Sequence, residues 1–204
     1  MVNVRIGDRS VRRTKNPIFS TETIIDKTVT NIIYAVKATY EKEIAIPADA
    51  FGRPPTNPPT VEEVDNLTVY AFTLNSDKMT FKFPVPSDYE SGPLMFRFIW
   101  TNDGGSDDYN RWVRWRIDYR VVSEYDLVSG TDGSIVVDDL YPSPNGRVEC
   151  RSQYVSLPVT SFMPGQCVYV KITAVTPPSP ALTCKPRLIG LCLKYKATTI
   201  YFPP

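Results

Sequence analysis

Between Arg111 and Val121 the chain alternates without a break: Val113, Trp115, Ile117, Tyr119 and Val121 are separated by Arg114, Arg116, Asp118 and Arg120. A period of two sends successive side chains to opposite faces of a pleated strand. The segment therefore predicts a half-buried β-strand with an apolar row inward and a charged row outward. The pattern recurs. Leu94, Phe96, Phe98 and Trp100 alternate with Met95, Arg97 and Ile99; Val168, Val170, Ile172 and Ala174 alternate with Tyr169, Lys171 and Thr173. Ile189, Leu191, Leu193 and Tyr195 share one face of a last strand, and Leu67, Val69, Ala71 and Thr73 alternate against Thr68, Tyr70 and Phe72. Met79 to Phe83 is stopped by Pro84, Ser134 to Asp138 follows a Thr-Asp-Gly turn, and Val148 to Leu157 follows Pro-Ser-Pro-Asn-Gly. About eight strands at this spacing, joined by polar and proline-containing loops, predict an all-β fold: a jelly-roll-like antiparallel β-sandwich.

The pattern weakens toward the amino terminus. Residues 22 to 46 mix β-branched runs such as Thr28 to Tyr34 with a helical spacing through Ile32, Ile33, Val36 and Tyr40, and their state stays open; Ile44 to Ile46 reads as a short strand stopped by Pro47. From Pro47 to Pro59 the chain reads as a stiff, extended connector. Residues 1 to 20 carry Arg5, Arg9, Arg12, Arg13 and Lys15 against a lone Asp8, the composition either of a basic arm that lies on a neighbouring subunit or an acidic surface or of a solvated terminus, with nucleic acid as a weaker third option. The expected organisation is an extended N-terminal arm and connector over residues 1–63 and a sandwich over residues 64–204.

Composition narrows the chemistry. The 204 residues include 19 prolines and 10 glycines, which suits many short strands joined by stiff loops. Lys and Arg number 23 against 22 acidic residues, so a net charge of +1 gives no overall field for nucleic acid or an anionic membrane. No apolar run is long enough to cross a bilayer, and Met1 to Asp8 lacks the apolar stretch of a secretion signal, so the chain is expected to start its life in the cytoplasm. Histidine is absent, which removes Ser-His-Asp, Cys-His and His-zinc schemes and leaves only carboxylate-based catalysis open. The cysteines at 150, 167, 184 and 192 form no Cys-x-x-Cys pair, so they read as small β-position residues rather than zinc ligands; the parity of Cys167 and Cys192 places both on a second face.

Two groups of side chains invite a functional reading. Asp103, Asp107 and Asp108, with Asp138 and Asp139, offer hard oxygen ligands or a glycosidase pair, but they lack the spacing of a known calcium loop and read first as a solvated hairpin loop. Trp112 falls on the arginine face of its strand. With Arg114 and Arg116 it makes a surface suited to a subunit contact or a carbohydrate platform, whereas Trp115 belongs to the apolar row. No metal, cofactor or enzymatic activity is expected.

Lys82 to Tyr89 (Lys-Phe-Pro-Val-Pro-Ser-Asp-Tyr), Gly92, Phe98-Ile-Trp, Trp115-Arg-Ile-Asp-Tyr-Arg and the closing Leu188-Ile-Gly-Leu-Cys-Leu-Lys-Tyr together resemble the small jelly-roll virion proteins of tailed bacteriophages, over roughly residues 64–196. The resemblance implies structural work in the virion as a head decoration or cement protein, with a tail-fibre or receptor-binding, carbohydrate-recognising module as the alternative. It further implies the major capsid protein or other virion proteins as partners and a homo-oligomer, in particular a trimer. Arg5, Arg9, Arg12, Arg13, Lys15, Trp112, Arg114 and Arg116 are the partner-binding candidates.

Overall fold

The computed structural model describes residues 18–22, 35–127, 129–159 and 162–201. The chain divides into two units. The larger spans Glu41–Ala197; the smaller has Ile18–Glu22, Ala35–Tyr40 and Thr198–Tyr201 as its described strand residues. Arg5, Arg9, Arg12, Arg13, Lys15 and the run Thr28 to Tyr34 lie outside the described residues. Among the described residues no helix is long and apolar enough to cross a membrane.

The strands are β1 (Ile18–Glu22), β2 (Ala35–Pro47), β3 (Thr60–Val64), β4 (Leu67–Ala71), β5 (Met79–Pro84), β6 (Tyr89–Thr101), β7 (Trp112–Val122), β8 (Gly133–Leu140), β9 (Cys150–Arg151), β10 (Val155–Ser156), β11 (Cys167–Val175) and β12 (Arg187–Tyr201). One sheet has the order β5-β11-β7-β8. In the other, β12 pairs with β6 on one side and with β4 and β2 on the other, while β9 and β10 extend β6. Take β4 to β12 as eight chain positions, with β9 and β10 sharing one. The first, eighth, third and sixth then form one sheet, and the second, seventh, fourth and fifth form the other. All of these registered pairs are antiparallel. This is the double Greek-key order of a jelly roll.

The alternation places the core between the layers. Phe96, Phe98 and Trp100 of β6 and Val113, Trp115 and Ile117 of β7 are all buried. The Phe98 ring stacks on Trp115 at 5.1 Å and Phe72 meets the same indole edge-on at 5.3 Å, so Trp115 is the point where the two sheets lock. A second aromatic group joins Phe81 and Phe83 of β5 to Phe96. Trp100 donates from Nε1 to Asp139 at 2.8 Å.

Three details depart from the pattern-based expectation. Leu188, not Ile189, enters the core, because a bulge between Leu188 and Gly190 reverses the parity of β12. Glycine is required there: a Cβ on residue 190 would stand 2.6 Å from the Ile46 carbonyl oxygen. The stretch from Val148 to Leu157 is broken into β9 and β10, since Ser152 Oγ accepts from the Phe98 N–H at 2.9 Å in the gap. The proline-rich connector packs on the sandwich: Phe51 is buried and stacks on Phe81 at 4.7 Å, and Gly52 bridges to Thr80. The sandwich unit accordingly starts at Glu41, ahead of the expected boundary at residue 64.

Replacing Trp115 with Ala removes the partner of both Phe98 and Phe72 and should cost about 3–5 kcal/mol of unfolding free energy, the range for a large aromatic lost from a core. Val136→Ser, on the outer face, should stay within about 0.5 kcal/mol. Urea denaturation followed by tryptophan fluorescence and circular dichroism compares the two.

Candidate functional site

The outward row of β7 meets its neighbours in a fixed register. Arg114 lies opposite Asp138, Asp118 opposite Ser134 and Lys171, and Arg120 opposite Tyr169, which on its other side faces Lys82 of β5. The outer surface of the four-stranded sheet is thus a grid of charged side chains with one tyrosine among them. Arg114 grips Asp138 with two bonds of 2.6 and 2.7 Å, a forked pair that raises the guanidinium pKa. Asp118 lies 3.3 Å from Arg116 and 2.7 Å from Lys171. Burial pushes its carboxyl up, but the hydrogen bonds from Lys171 and Ser134 and the nearby cations outweigh that and hold it below the ordinary range. Arg120 donates to the Leu127 carbonyl at 2.9 Å and reaches Asp132 at 3.4 Å. The two arginines singled out from the sequence, Arg114 and Arg116, do stand on this face, and each is answered by a carboxylate of the same sheet.

Above this grid lies a groove of about 580 Å³, lined among others by Gly52, Lys82, Asp118, Arg120, Tyr169 and Lys171. Gly130 closes one side, resting against the Arg120 guanidinium at φ +106, a conformation that side chains other than glycine rarely adopt. Alternation along the chain puts Tyr169 and Lys171 on the outward parity of β11 but gives no sign of Lys82 beside them, because β5 and β11 meet only through the long jelly-roll connection.

The loops at the opposite end of β7 are clamped together. Asp108 is fully buried and accepts from Thr183 N at 2.6 Å, Thr183 Oγ1 at 2.7 Å and Cys184 N at 3.2 Å. Trp112 is half-buried beside Pro177, Leu182 and Pro186, its backbone N–H donating to Pro180 O at 2.8 Å and its carbonyl accepting from Leu182 N at 3.2 Å. The tryptophan expected outside is therefore covered in part by the 177–186 loop. Asp103 pairs with Arg147 and Arg187 at 3.0 and 2.6 Å, Asp138 with Arg114, and Asp139 with the Trp100 indole. Four of the five carboxylates that could form a cation or glycosidase set, all but Asp107, thus point to separate partners, and among the described residues no three acidic, cysteine or histidine side chains gather around one point.

The four cysteines are free thiols. Cys150 is buried in the core and its pKa is pushed up to about 12 by burial, which leaves it a poor nucleophile. Cys192 is buried on the other face of β12, outside the core cluster, beside Arg97 and Glu43. Cys167 is half-buried.

At the end of the sandwich where β7 runs out, two loops carry exposed apolar side chains. Tyr125 is 96 % exposed, Leu127 76 % and Met163 60 %. Gln166 joins the two loops that carry them: its Nε2 donates to Ser123 Oγ at 3.1 Å, and its Oε1 accepts from Met163 N at 2.8 Å. Tyr125 sits at φ 70, a left-handed conformation that a bulky residue rarely adopts. Beside the other edge of β5, Lys42 and Tyr195 converge on Asp88 at 2.7 and 2.9 Å.

No protein-family model matches the chain, and no curated protein matches it. Among solved structures it is similar to dimeric latent PorU from Porphyromonas gingivalis, at 12 % identity and a TM-score of 0.40; the match covers 87 % of this chain and 13 % of that one.

Asp108→Ala leaves two backbone donors without an acceptor and should cost about 3 kcal/mol, with faster amide exchange at Thr183 and Cys184 as the local signature. The Asp88 carboxyl is held low chiefly by the Lys42 hydrogen bond. A depressed folded pKa gives stability that is present above the ordinary value and lost as pH falls through the folded one. Melting temperatures between about pH 5 and about pH 2 should therefore fall less steeply for Asp88→Asn than for the unchanged chain.

Proposed function

We propose that this chain is a bacteriophage virion structural protein, a head decoration or cement protein that works by binding the assembled shell. The observation that carries this reading is the exposed apolar end formed by Tyr125, Leu127 and Met163. Large apolar side chains exposed to water cost free energy unless a partner covers them, and exposed apolar surface on adjoining loops is what a protein contact uses. Gln166 fixes the two loops relative to each other, so a partner meets an ordered surface. The strained Tyr125 backbone fits a residue held in place for contact.

The remaining charges support the same reading. Arg114 and Arg116 are matched by carboxylates of the sheet and Arg120 by Asp132 of the loop before β8, which keeps the face from acting as a broad cationic surface. In this account the partner is the major capsid protein or another virion protein, the copies associate as a homo-oligomer, and Arg5, Arg9, Arg12, Arg13 and Lys15 add contacts to the shell or to sister subunits. A part that binds only the assembled lattice stabilises it by mass action, without chemistry.

A second reading, host-surface recognition as a tail-fibre or receptor-binding module, is favoured by one feature, the groove containing Tyr169 and Lys82. The loops at 102–110 and 176–186 contribute less to it, because Asp108 ties them to one another.

Tyr125→Ser combined with Leu127→Ser should lower occupancy on undecorated heads by about tenfold or more, consistent with losing two central contact residues, while the circular dichroism spectrum stays unchanged. Full occupancy by the double variant would refute the contact role of this end.

A further inference from the structure

On the outer face of the four-stranded sheet one cation stands unanswered. Arg114, Arg116, Arg120 and Lys171 each face Asp138, Asp118 or Asp132 within 3.4 Å. Lys82 is exposed on the edge strand β5 and has no ion pair among the described residues. The ladder register sets it directly across from Tyr169, whose other cross-strand neighbour is Arg120. An aromatic ring flanked by two cations, one of them unpaired, is an arrangement that the stability of the sheet does not call for.

The surroundings turn this row into a site. On one side the chain at Ala50 and Gly52 forms a wall, tied to the sheet by backbone bonds of 2.6 and 2.9 Å between Gly52 and Thr80. On the other side Gly130 and Thr131 close in, with Gly130 resting against Arg120. The groove between them holds about 580 Å³, room for one or two sugar rings; of its charged lining Lys171 pairs with Asp118 and Arg120 with the adjoining Asp132, which leaves Lys82 as the cation without a carboxylate among the described residues. Thr80 and Thr131 bring hydroxyls to the same lining.

These groups together define the ligand. A phenol ring flanked by side chains of fixed register offers a flat apolar surface for the C–H face of a pyranose. The free ammonium of Lys82 supplies a counter-charge for a carboxylate, and the threonine hydroxyls match sugar hydroxyls. A neutral sugar would leave Lys82 without a counterpart. A nucleic-acid strand would call for a series of aromatic rings along a continuous cationic track, and the net charge of +1 provides no field to hold one. We infer that this groove binds an acidic saccharide, with Tyr169 beneath a sugar ring and Lys82 on its carboxylate. The inference rests on the recognition reading of the preceding subsection and names its ligand class.

The test uses the full chain and three probes: α-2,8-linked sialic acid oligomers, oligogalacturonate, and neutral dextran of matched length, each titrated by calorimetry at low and raised salt. Binding of at least one carboxylated probe, weakened by salt and reduced about tenfold or more by Lys82→Glu and by Tyr169→Ala, is the expected result. Lys82 is exposed, so Lys82→Glu leaves the fold intact; Arg151→Ala, on the other sheet, should bind as the unchanged chain does. Equal binding of dextran, or carboxylate binding unaffected by both groove variants, overturns the acidic assignment. In the first case the recognition reading survives with a neutral ligand. Failure of all three probes to bind, together with failure of the chain to bind host cells, overturns both.

Discussion

The structure depends on one contact between layers, the stack of Phe98 against Trp115. Both residues come from strands with strict alternation, so fixing that contact fixes which face of each strand points inward. A slip of one residue in β7 would bring Arg114 or Arg116 into the core and expose Trp115, at a cost the fold could not meet. With β7 pinned, its two ladders set the positions of β8 and β11, and β11 in turn positions β5. The outer surface is thus a consequence of the inner one. Tyr169 stands between Lys82 and Arg120 because Trp115, Val168 and Phe81 are buried on the opposite side of the same strands.

This coupling explains what the sequence makes legible. The inward rows of β6, β7 and β11 can be read from alternation alone, as can the outward placement of Arg114, Arg116, Tyr169 and Lys171, and the jelly-roll class follows from the number and spacing of strands. Trp115 reads correctly as core because its neighbours two residues away are apolar on both sides. Cys192 reads correctly as lying off the main core, for the same reason of parity.

What escapes the pattern has specific causes. Ile189 has the parity and hydropathy of an inward residue, yet the bulge at Gly190 hands that place to Leu188. A bulge adds one residue to one strand and leaves little trace in a period-two reading. Phe51 lies among prolines and reads as part of a spacer, but the stack on Phe81 makes it part of the core. Asp108 reads as one of several loop carboxylates, while its burial under Thr183 and Cys184 makes it the clamp of that end. The groove is the least legible feature. Its lining comes from β5, β7, β11 and two loops, and their proximity arises from long-range pairing that no local pattern encodes.

Cross-strand register is therefore the quantity that the whole account turns on. Nuclear Overhauser contacts in the isotope-labelled protein measure it directly. Tyr169 should show backbone and side-chain contacts to Arg120 on one side and Lys82 on the other. Contacts from Tyr169 to Val121 or Phe81 as its directly opposed partners would place the strands one residue out of step and contradict both the core and the groove.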